Sequence, residues 1–461
     1  MNLKPIRNIF LLAFSGLSAV VSEAQNSNTL CFLKDVPQAA SMNPSFCPES
    51  NFVVGLPVLS GVNIGFNNDF RLNNTVQKGN GVLSDTLRFN FDKLYNVTGE
   101  HSKINFELNA SMFYLGVRKG KNFYSFTVNE KGFFRGQFDK NFIEYFKNGI
   151  KSYYGSNTGL GNISFNIGQY REFGFGLSHK AGKKLMYGTK LKILFGRLNM
   201  NSDQVGFQIH SIPGDQKLYF IPSGDVNISG PVRFEKDTVD QGTRMIHDLN
   251  AGDYVFNFRN LGFAADLGMN YQVNSQLNLS ASLIDLGFLR FTKKNFLMNV
   301  GNSLIYDKEN LTQASQPDSS DFLSSNAALY AFRDSIPYMT SAKPIHKAQL
   351  VPLPAKFYFG GEYSVGREWT LGLTGKLYFL REYFYSAVTL SARTYLSDRF
   401  LFTFSNTLIR NSFVNPGAGF EYKSGLFNIY FATDNIFSLT SASYLKNLNL
   451  QFGINLLLGN E

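Results

Sequence analysis

Apolar and polar residues alternate along two successive stretches of the chain, 261–273 and 277–290, which a short polar break separates. Successive side chains of a β-strand point to opposite faces, so this period of two predicts two strands. Each stretch has about a dozen residues, roughly twice the usual strand length in soluble proteins. One face is apolar and the other is small and polar, which is typical of a transmembrane β-hairpin. A long hairpin of a soluble sandwich would show the same pattern, so the rest of the chain decides.

The same alternation predicts fourteen strands within 51–461, and about 12 to 16 is the range because 160–168 and 203–229 also alternate. Tight turns connect every second pair of strands, and the remaining connections are long or variable. Outer-membrane barrels have this segregation of loops and an even number of strands. The predicted fold is therefore an all-β, antiparallel transmembrane β-barrel with short periplasmic turns. Its predicted extracellular excursions are 67–103, 136–170, 197–260 and 291–354.

Composition agrees with a barrel and argues against a nucleic-acid partner. Charged residues make up only 17% of the chain, while aromatic residues reach 15%, with 46 Phe and 23 Tyr. The sequence has no apolar run of the length that a spanning helix needs, about 18 residues or more. The net charge is +10, but the Lys and Arg residues are scattered and form no basic, aromatic-rich motif.

Residues 1–24 have the pattern of a cleavable secretory signal. Lys4 and Arg7 form the charged start, an apolar core follows over 9–21, and small residues precede Gln25. The sequence therefore predicts export, and with the barrel pattern it predicts a location in the outer membrane. Outer-membrane lipid is then the predicted surrounding of the barrel.

Residues 25–50 lack alternation and contain three prolines, which predicts an irregular leader before the first strand. The leader could be a plug in the lumen or a periplasmic tail. It holds the only two cysteines of the chain, Cys31 and Cys47. An exported compartment permits a disulfide between them, and we favour this bridge over two free buried thiols. It would close a loop of about 16 residues and stabilise the fold by roughly 3 kcal/mol.

Charged residues on the polar side of the predicted strands should face the lumen. Lys or Arg facing lipid near the bilayer midplane would cost about 2–4 kcal/mol. We expect these charges to pair across a closed lumen rather than to line an open pore. The predicted lumen-facing residues are Glu172, Lys190, Lys192, Asp266, Lys356, Glu362, Lys376 and Arg393.

The last predicted strand, 446–458, alternates most regularly. Its sequence Gln451-x-Gly453-x-x-Leu456-x-Leu458 resembles the C-terminal signal that the outer-membrane barrel assembly machinery reads. The chain ends on Gly-Asn-Glu, whereas many such barrels end on an aromatic residue. We therefore predict an assembly signal at this strand and the assembly machinery as a partner.

Motifs of catalysis and of metal or cofactor binding are missing from the sequence. The five histidines are scattered and share no metal-ligand spacing, and no nucleotide-binding or nucleophile-elbow motif occurs. We predict no catalytic residues, no metal, no cofactor and no enzyme activity, although a Ser/His pair assembled in space would escape this search. Short helices are predicted within the excursions, at 139–150 and more weakly at 320–334.

Several short motifs resemble those of a family of uncharacterised outer-membrane barrels of the Bacteroidota. They include Asn43-Pro44-Ser45 after the signal, 170–176, 188–192, 284–288 and Asp434-Asn435. That family is similar to the FadL-like long-chain fatty-acid transporter superfamily, in which an Asn-Pro-Ala motif stands where this chain has Asn43-Pro44-Ser45. The resemblance implies a fourteen-strand barrel with an N-terminal segment folded into the lumen.

Three functions follow from this resemblance and from the residues. The first is a plugged barrel that admits hydrophobic or small molecules. The second is a structural or secretion-associated partner with a sealed lumen and no transport, because related barrels are parts of a protein-secretion machine. The third is a barrel enzyme, which we disfavour because no catalytic motif supports it. Fold alone does not decide between them.

Overall fold

The computed structural model describes ten segments of the chain. The predicted signal, 1–24, lies outside the described residues, as do the first residues of the leader and most of the predicted helix 320–334. The described segments are 28–70, 75–78, 87–237, 242–247, 258–307, 332–366, 368–379, 384–409, 413–440 and 446–459.

Strands dominate the described part of the chain. The first half contains β1 Phe52–Gly55, β2 Val62–Asn68, β3 Val76–Lys78, β4 Leu87–Phe89, β5 His101–Lys119, β6 Asn122–Asp139, β7 Asn157–Ala181, β8 Leu185–His210, β9 Lys217–Ser229, β10 Val232–Lys236, β11 Thr243–His247 and β12 Leu261–Gln272. The second half contains β13 Leu277–Phe291, β14 Asn295–Val300, β15 Leu304–Asp307, β16 Thr340–Pro344, β17 Gln349–Pro352, β18 Ala355–Val365, β19 Trp369–Phe379, β20 Phe384–Ser397, β21 Phe400–Leu408, β22 Pro416–Ser424, β23 Phe427–Thr433 and β24 Asn447–Leu458.

Fourteen antiparallel strands of the described residues close into a barrel, which confirms the predicted fold class. β1 and β2 together form the first wall strand. The others follow in the order β5, β6, β7, β8, β12, β13, β18, β19, β20, β21, β22, β23 and β24. β24 pairs with both β1 and β2, so the predicted last strand closes the wall. The alternating stretches 160–168 and 203–229 add no wall strand, because they lie in the extensions of β7 and β8 and in β9.

The outward face of the wall is apolar, as the alternation predicts. Leu191 on β8 and Phe175 on β7 are 62% and 53% exposed, whereas Lys190 and Lys192 beside Leu191 are buried in the interior. An apolar outer surface of this kind is stable in lipid and would be costly in water.

We call the end of the barrel with the short turns the inner end and the opposite end the outer end. β7 and β8, with 25 and 26 residues, are far longer than the roughly 9–11 residues that cross a bilayer. They project past the outer end, where β9 joins β8 and carries β14 and β15. The large excursions therefore contain sheet rather than only loops.

Three helices pack at this outer sheet, namely α1 (Phe91–Val97), α2 (Lys140–Asn148) and α3 (332–339). A fourth, α4 (Phe437–Thr440), contacts β24 of the wall. The predicted helix 139–150 corresponds to α2, which starts after Asp139 and packs Phe142 and Phe146 into an aromatic core with Phe207 of β8. No helix among the described residues is long and apolar enough to cross a membrane.

The first wall strand is interrupted between β1 and β2. Val58 in the interruption adopts a positive φ of 66° and is exposed on the outside. Ser60 turns inward instead, and its carbonyl oxygen lies where a side chain of Gly453 on β24 would have to go. Only glycine at 453 leaves room for this inward turn.

We predict that Gly453→Leu sharply lowers the amount of folded barrel. A Cβ at residue 453 would lie 2.1 Å from the Ser60 carbonyl oxygen, so the closing seam could not form without displacing backbone. Heat-modifiable mobility of the membrane fraction on gels measures the folded amount. Gly159→Leu is the matched control, because a Cβ at residue 159 meets no atom within 4 Å. Equal folded yields of the two variants would contradict the prediction.

Candidate functional site

The leader 28–50 lies inside the barrel rather than beside it. Two short 3-10 helices, Thr29–Phe32 and Pro37–Ser41, carry side chains that are buried against the wall. The segment reaches from the outer ends of β21–β23 to the inner end of β1. We call residues 28–50 the lumen segment.

Glycines of the wall make room for the lumen segment. Cβ atoms at Gly188 and Gly268 would lie 2.1 Å from the Pro44 carbonyl oxygen and 2.0 Å from Asn43 Oδ1. A Cβ at Gly372 would lie 2.5 Å from Phe32 Cε1. Backbone and side-chain atoms of the segment therefore approach the wall so closely at these glycines that a side chain there would clash with them.

The predicted motif Asn43-Pro44-Ser45 is a local turn fixed to the wall. Asn43 Oδ1 accepts hydrogen bonds from the backbone N and the Oγ of Ser45, at 3.0 and 2.7 Å, as in an Asx turn. Asn43 Nδ2 donates to the carbonyl oxygens of Met269 and Ala281, at 3.1 and 3.3 Å. One amide thus links the lumen segment to β12 and β13.

Asp434 holds the outer end of the lumen segment. Its carboxylate accepts hydrogen bonds from the backbone N of Asn28 and of Thr29, at 2.9 and 2.7 Å, and from Thr29 Oγ1 at 2.6 Å. Hydrogen bonds to a charged group are stronger than neutral ones. Alternation does not single out Asp434, which is part of the Asp434-Asn435 motif.

Ion pairs hold the middle of the lumen segment. Lys34 Nζ lies 3.0 Å from Glu362 Oε2, and Arg393 Nη2 lies 3.3 Å from the same oxygen. Arg393 Nη1 also donates to the Phe32 carbonyl oxygen at 2.8 Å. The predicted lumen-facing residues Glu362 and Arg393 therefore contact the segment directly.

Above the segment, six charged side chains from six wall strands meet in the lumen. They comprise three lysines and three carboxylates. We call them the lumen ion cluster: Lys131, Glu172, Lys192, Asp266, Asp285 and Lys356.

Lys192 is the centre of the lumen ion cluster. Its Nζ lies 2.7 Å from Asp266 Oδ2, 2.6 Å from Asp285 Oδ1 and 3.7 Å from Glu172 Oε2. Lys131 Nζ lies 2.7 Å from Glu172 Oε2. Lys356 Nζ lies 3.3 Å from Asp285 Oδ2. Lys192, Glu172, Asp266 and Asp285 are all buried, so the cluster compensates its charges internally.

Alternation did not predict that Asp285 faces the lumen, because a local irregularity of the strand reverses the side to which its side chain points. The register of β12 with β13 shifts between Ala265 and Leu267, and Asp285 has a positive φ of 60°. Regular alternation would place Asp285 on the lipid side, but the irregularity turns it inward. Its backbone N then donates to Asp266 Oδ1 at 2.8 Å. The sequence does contain a sign of this irregularity: a charged residue stands at a position that regular alternation would assign to the lipid side.

Two other predicted lumen residues lie apart from the cluster. Lys376 is buried, with its Nζ 5.5 and 5.7 Å from the ring centres of Tyr358 and Tyr378, in a cation–π arrangement. Lys190, two residues before Lys192, is also buried. No described carboxylate oxygen lies within 4.0 Å of Lys190 Nζ.

The disulfide predicted between Cys31 and Cys47 is not formed, and both thiols are free. Cys31 packs with Leu30, Leu33 and Met42 within the lumen. Cys47 contacts a different apolar cluster near the inner end, and Arg118 Nη2 lies 3.6 Å from its sulfur. Packing rather than a covalent bond holds the segment, and burial raises the pKa of the Cys31 thiol to about 12.

A cavity of about 360 Å³ lies in the outer half of the lumen. Its apolar floor contains Phe133, Tyr170, Leu289, Phe291 and Leu353, four of which belong to one buried cluster and the fifth of which packs against it. We call this space the mouth cavity. Its polar wall includes Asn105, Arg135, Gln137, Ser164, Asn166, Asn199 and Asn201.

Residues 44–434 match the family described as "Family of unknown function (DUF5723)". The chain belongs to this family. The predicted membership in an uncharacterised family is thereby confirmed. No curated protein matches this member of the DUF5723 family.

Solved structures of low sequence identity have barrels similar to that of this DUF5723 member. The P. putida toluene transporter TodX is 10% identical with a TM-score of 0.39, over 91% of this chain and 92% of that one. A Pseudomonas aeruginosa FadL homologue is 10% identical with a TM-score of 0.39, over 95% and 98%. The Ralstonia pickettii toluene transporter TbuX is 10% identical with a TM-score of 0.33, over 92% and 93%.

We predict that Lys192→Met destabilises the barrel by about 3–5 kcal/mol, because it leaves buried carboxylates without their central cation. Urea unfolding in detergent micelles, followed by tryptophan fluorescence or circular dichroism, measures the free energy of unfolding.

Lys190→Met is the matched control for this change. It removes a lysine of similar burial on the same strand, and no carboxylate in the described part of the chain lies within 4.0 Å of that lysine. We expect a clearly smaller loss of stability. Equal losses in both variants would contradict a special role of the lumen ion cluster.

Proposed function

We propose that this protein is an outer-membrane barrel whose mouth cavity binds a small hydrophobic molecule as the first step of its admission. The mouth cavity carries the proposal, because its volume of about 360 Å³ falls in the usual range of small-molecule sites, about 300–1,000 Å³. The proposed location is supported by the apolar outer face of the wall and by the predicted signal 1–24.

The chemistry of the mouth cavity favours a ligand with an apolar body and at most a small polar group. Five apolar side chains form the floor, and neutral amides or hydroxyls dominate the polar wall. An apolar cavity of roughly 150 Å³ is large enough for benzene in another protein. Toluene, the compound in the names of TodX and TbuX, is therefore a suitable probe here.

The path below the mouth cavity runs through several layers. Residues of β8 show the order of these layers from the outer to the inner end. Asn199 lines the mouth cavity, and Leu194 belongs to its apolar floor. Lys192 then belongs to the lumen ion cluster, and Gly188 contacts the lumen segment. We propose that the lumen segment acts as a plug. Passage of a ligand would then require its displacement.

The same layers support a second candidate function, a structural or secretion-associated barrel without transport. The specific observation in its favour is the lumen ion cluster, in which three cations and three anions form one largely buried network inside the barrel. In this case the outer sheet would contact a partner protein and the mouth cavity would bind no small molecule. Binding at the mouth cavity therefore distinguishes the two candidates.

We predict that the purified protein in lipid nanodiscs binds 4-fluorotoluene and that Asn166→Trp weakens this binding at least tenfold. The indole would occupy the mouth cavity that Asn166 lines. Fluorine NMR of the ligand, with empty nanodiscs as the blank, measures binding.

Ile167→Trp is the control, because Ile167 is the neighbour of Asn166 on β7 and does not line the mouth cavity. It should bind as the wild type does. If the wild type binds no more ligand than empty nanodiscs, or if both variants bind equally, the structural function is the better account.

A further inference from the structure

We propose that Lys190, together with Gln451, forms a binding site for a small monovalent anion between the lumen segment and the wall. The anion would be of the size of chloride or of a single carboxylate such as formate. This site lies below the lumen ion cluster and is separate from the mouth cavity.

Charge balance is the first argument. The lumen ion cluster contains three lysines and three carboxylates, so it is neutral without Lys190. Lys190 faces Asp266 across the register of β8 and β12, but that carboxylate already contacts Lys192 and the backbone N of Asp285. The positive charge of Lys190 is therefore in excess in a buried environment.

Burial makes this excess costly. Lys190 is only 7% exposed, and no described side chain or backbone atom accepts a hydrogen bond from its Nζ. An isolated buried ammonium group loses its hydration without compensation, which proteins usually avoid by supplying a counter-ion. A bound anion would supply that counter-charge.

Lys190 lines a small cavity of about 60 Å³ whose walls are partly apolar and partly polar. Its walls carry hydroxyl and amide groups, among them those of Ser111, Ser125, Thr127 and Gln451. Gln451 is 3% exposed, and neither its Nε2 nor its Oε1 has a hydrogen-bond partner among the described residues. A second buried polar side chain thus lines the same space with an unused donor.

The local backbone gives the lysine its position. A Cβ at Gly174 of β7 would lie 2.3 Å from Lys190 Cε and 3.2 Å from its Nζ, so the ammonium group lies over a glycine. Ser41 and Gln38 of the lumen segment line the opposite side of the cavity. The site therefore exists only when the lumen segment is in place.

The size of the cavity limits the ligand. At about 60 Å³, the cavity has room for a few water molecules or for one chloride-sized ion. An acyl chain or an aromatic ring would not fit. Water alone would leave the charge of Lys190 uncompensated, which favours the anion.

The direct test is X-ray diffraction from crystals of the full-length protein grown with sodium bromide in place of sodium chloride. We expect an anomalous difference peak for bromide beside Lys190 Nζ, within reach of Gln451 Nε2. A well-ordered cavity without such a peak would overturn the proposal.

A solution test uses urea unfolding at constant ionic strength, with chloride exchanged for gluconate, which is too large for the cavity. Above the dissociation constant, each tenfold rise in chloride should raise the folding equilibrium constant of the wild type about tenfold. Lys190→Met should abolish this chloride response, and Lys183→Met, at an exposed turn, should retain it.

Gln451→Leu provides a second variant in case Lys190→Met fails to fold. It should shift the chloride response to several-fold higher concentrations. A wild type that responds equally to chloride and gluconate, or a chloride response that persists in Lys190→Met, would show that any bound halide is adventitious and would overturn the proposal.

Discussion

Neutralisation of buried charge is the constraint on which the interior of this barrel depends. Lys192 lies within 3.7 Å of three carboxylates, and each of these groups would be unstable in the interior without the others. The partners come from β6, β7, β8, β12, β13 and β18, so the cluster fixes the register and spacing of nearly half of the wall. Its geometry also divides the lumen into an outer mouth cavity and an inner part that the lumen segment fills.

The lumen segment fits against the inner part of the wall through close packing and polar contacts. Glycines at 188, 268 and 372 allow close approach of its backbone and side chains, and the Asp434 carboxylate accepts three hydrogen bonds from its outer end. Asn43 and Lys34 add contacts to β12, β13 and β18. Many short polar contacts, rather than a disulfide, hold the segment in the barrel.

Alternation predicted the wall because each strand has lipid on one side and the lumen on the other. Apolar side chains therefore alternate with polar or small ones along the strand. The same rule placed Glu172, Lys192 and Asp266 inside, where the structure has them. It missed Asp285, since a local irregularity reverses the parity there, and Asp434, since a strand end carries no alternation. Proximity of Cys31 and Cys47 in the sequence suggested a bridge, but tertiary packing assigns the two thiols to different clusters. The mouth cavity could not be predicted from the sequence, because residues of eight separate strands line it.

Ion conductance in a planar bilayer tests most directly whether the lumen segment seals the barrel. Full-length protein and a variant lacking residues 25–49 would be compared after heat-modifiable mobility has shown that both are folded. We expect the full-length protein to conduct poorly and the deletion to raise the conductance. Equal conductance of the two proteins would contradict it, whether both channels were open or both were closed.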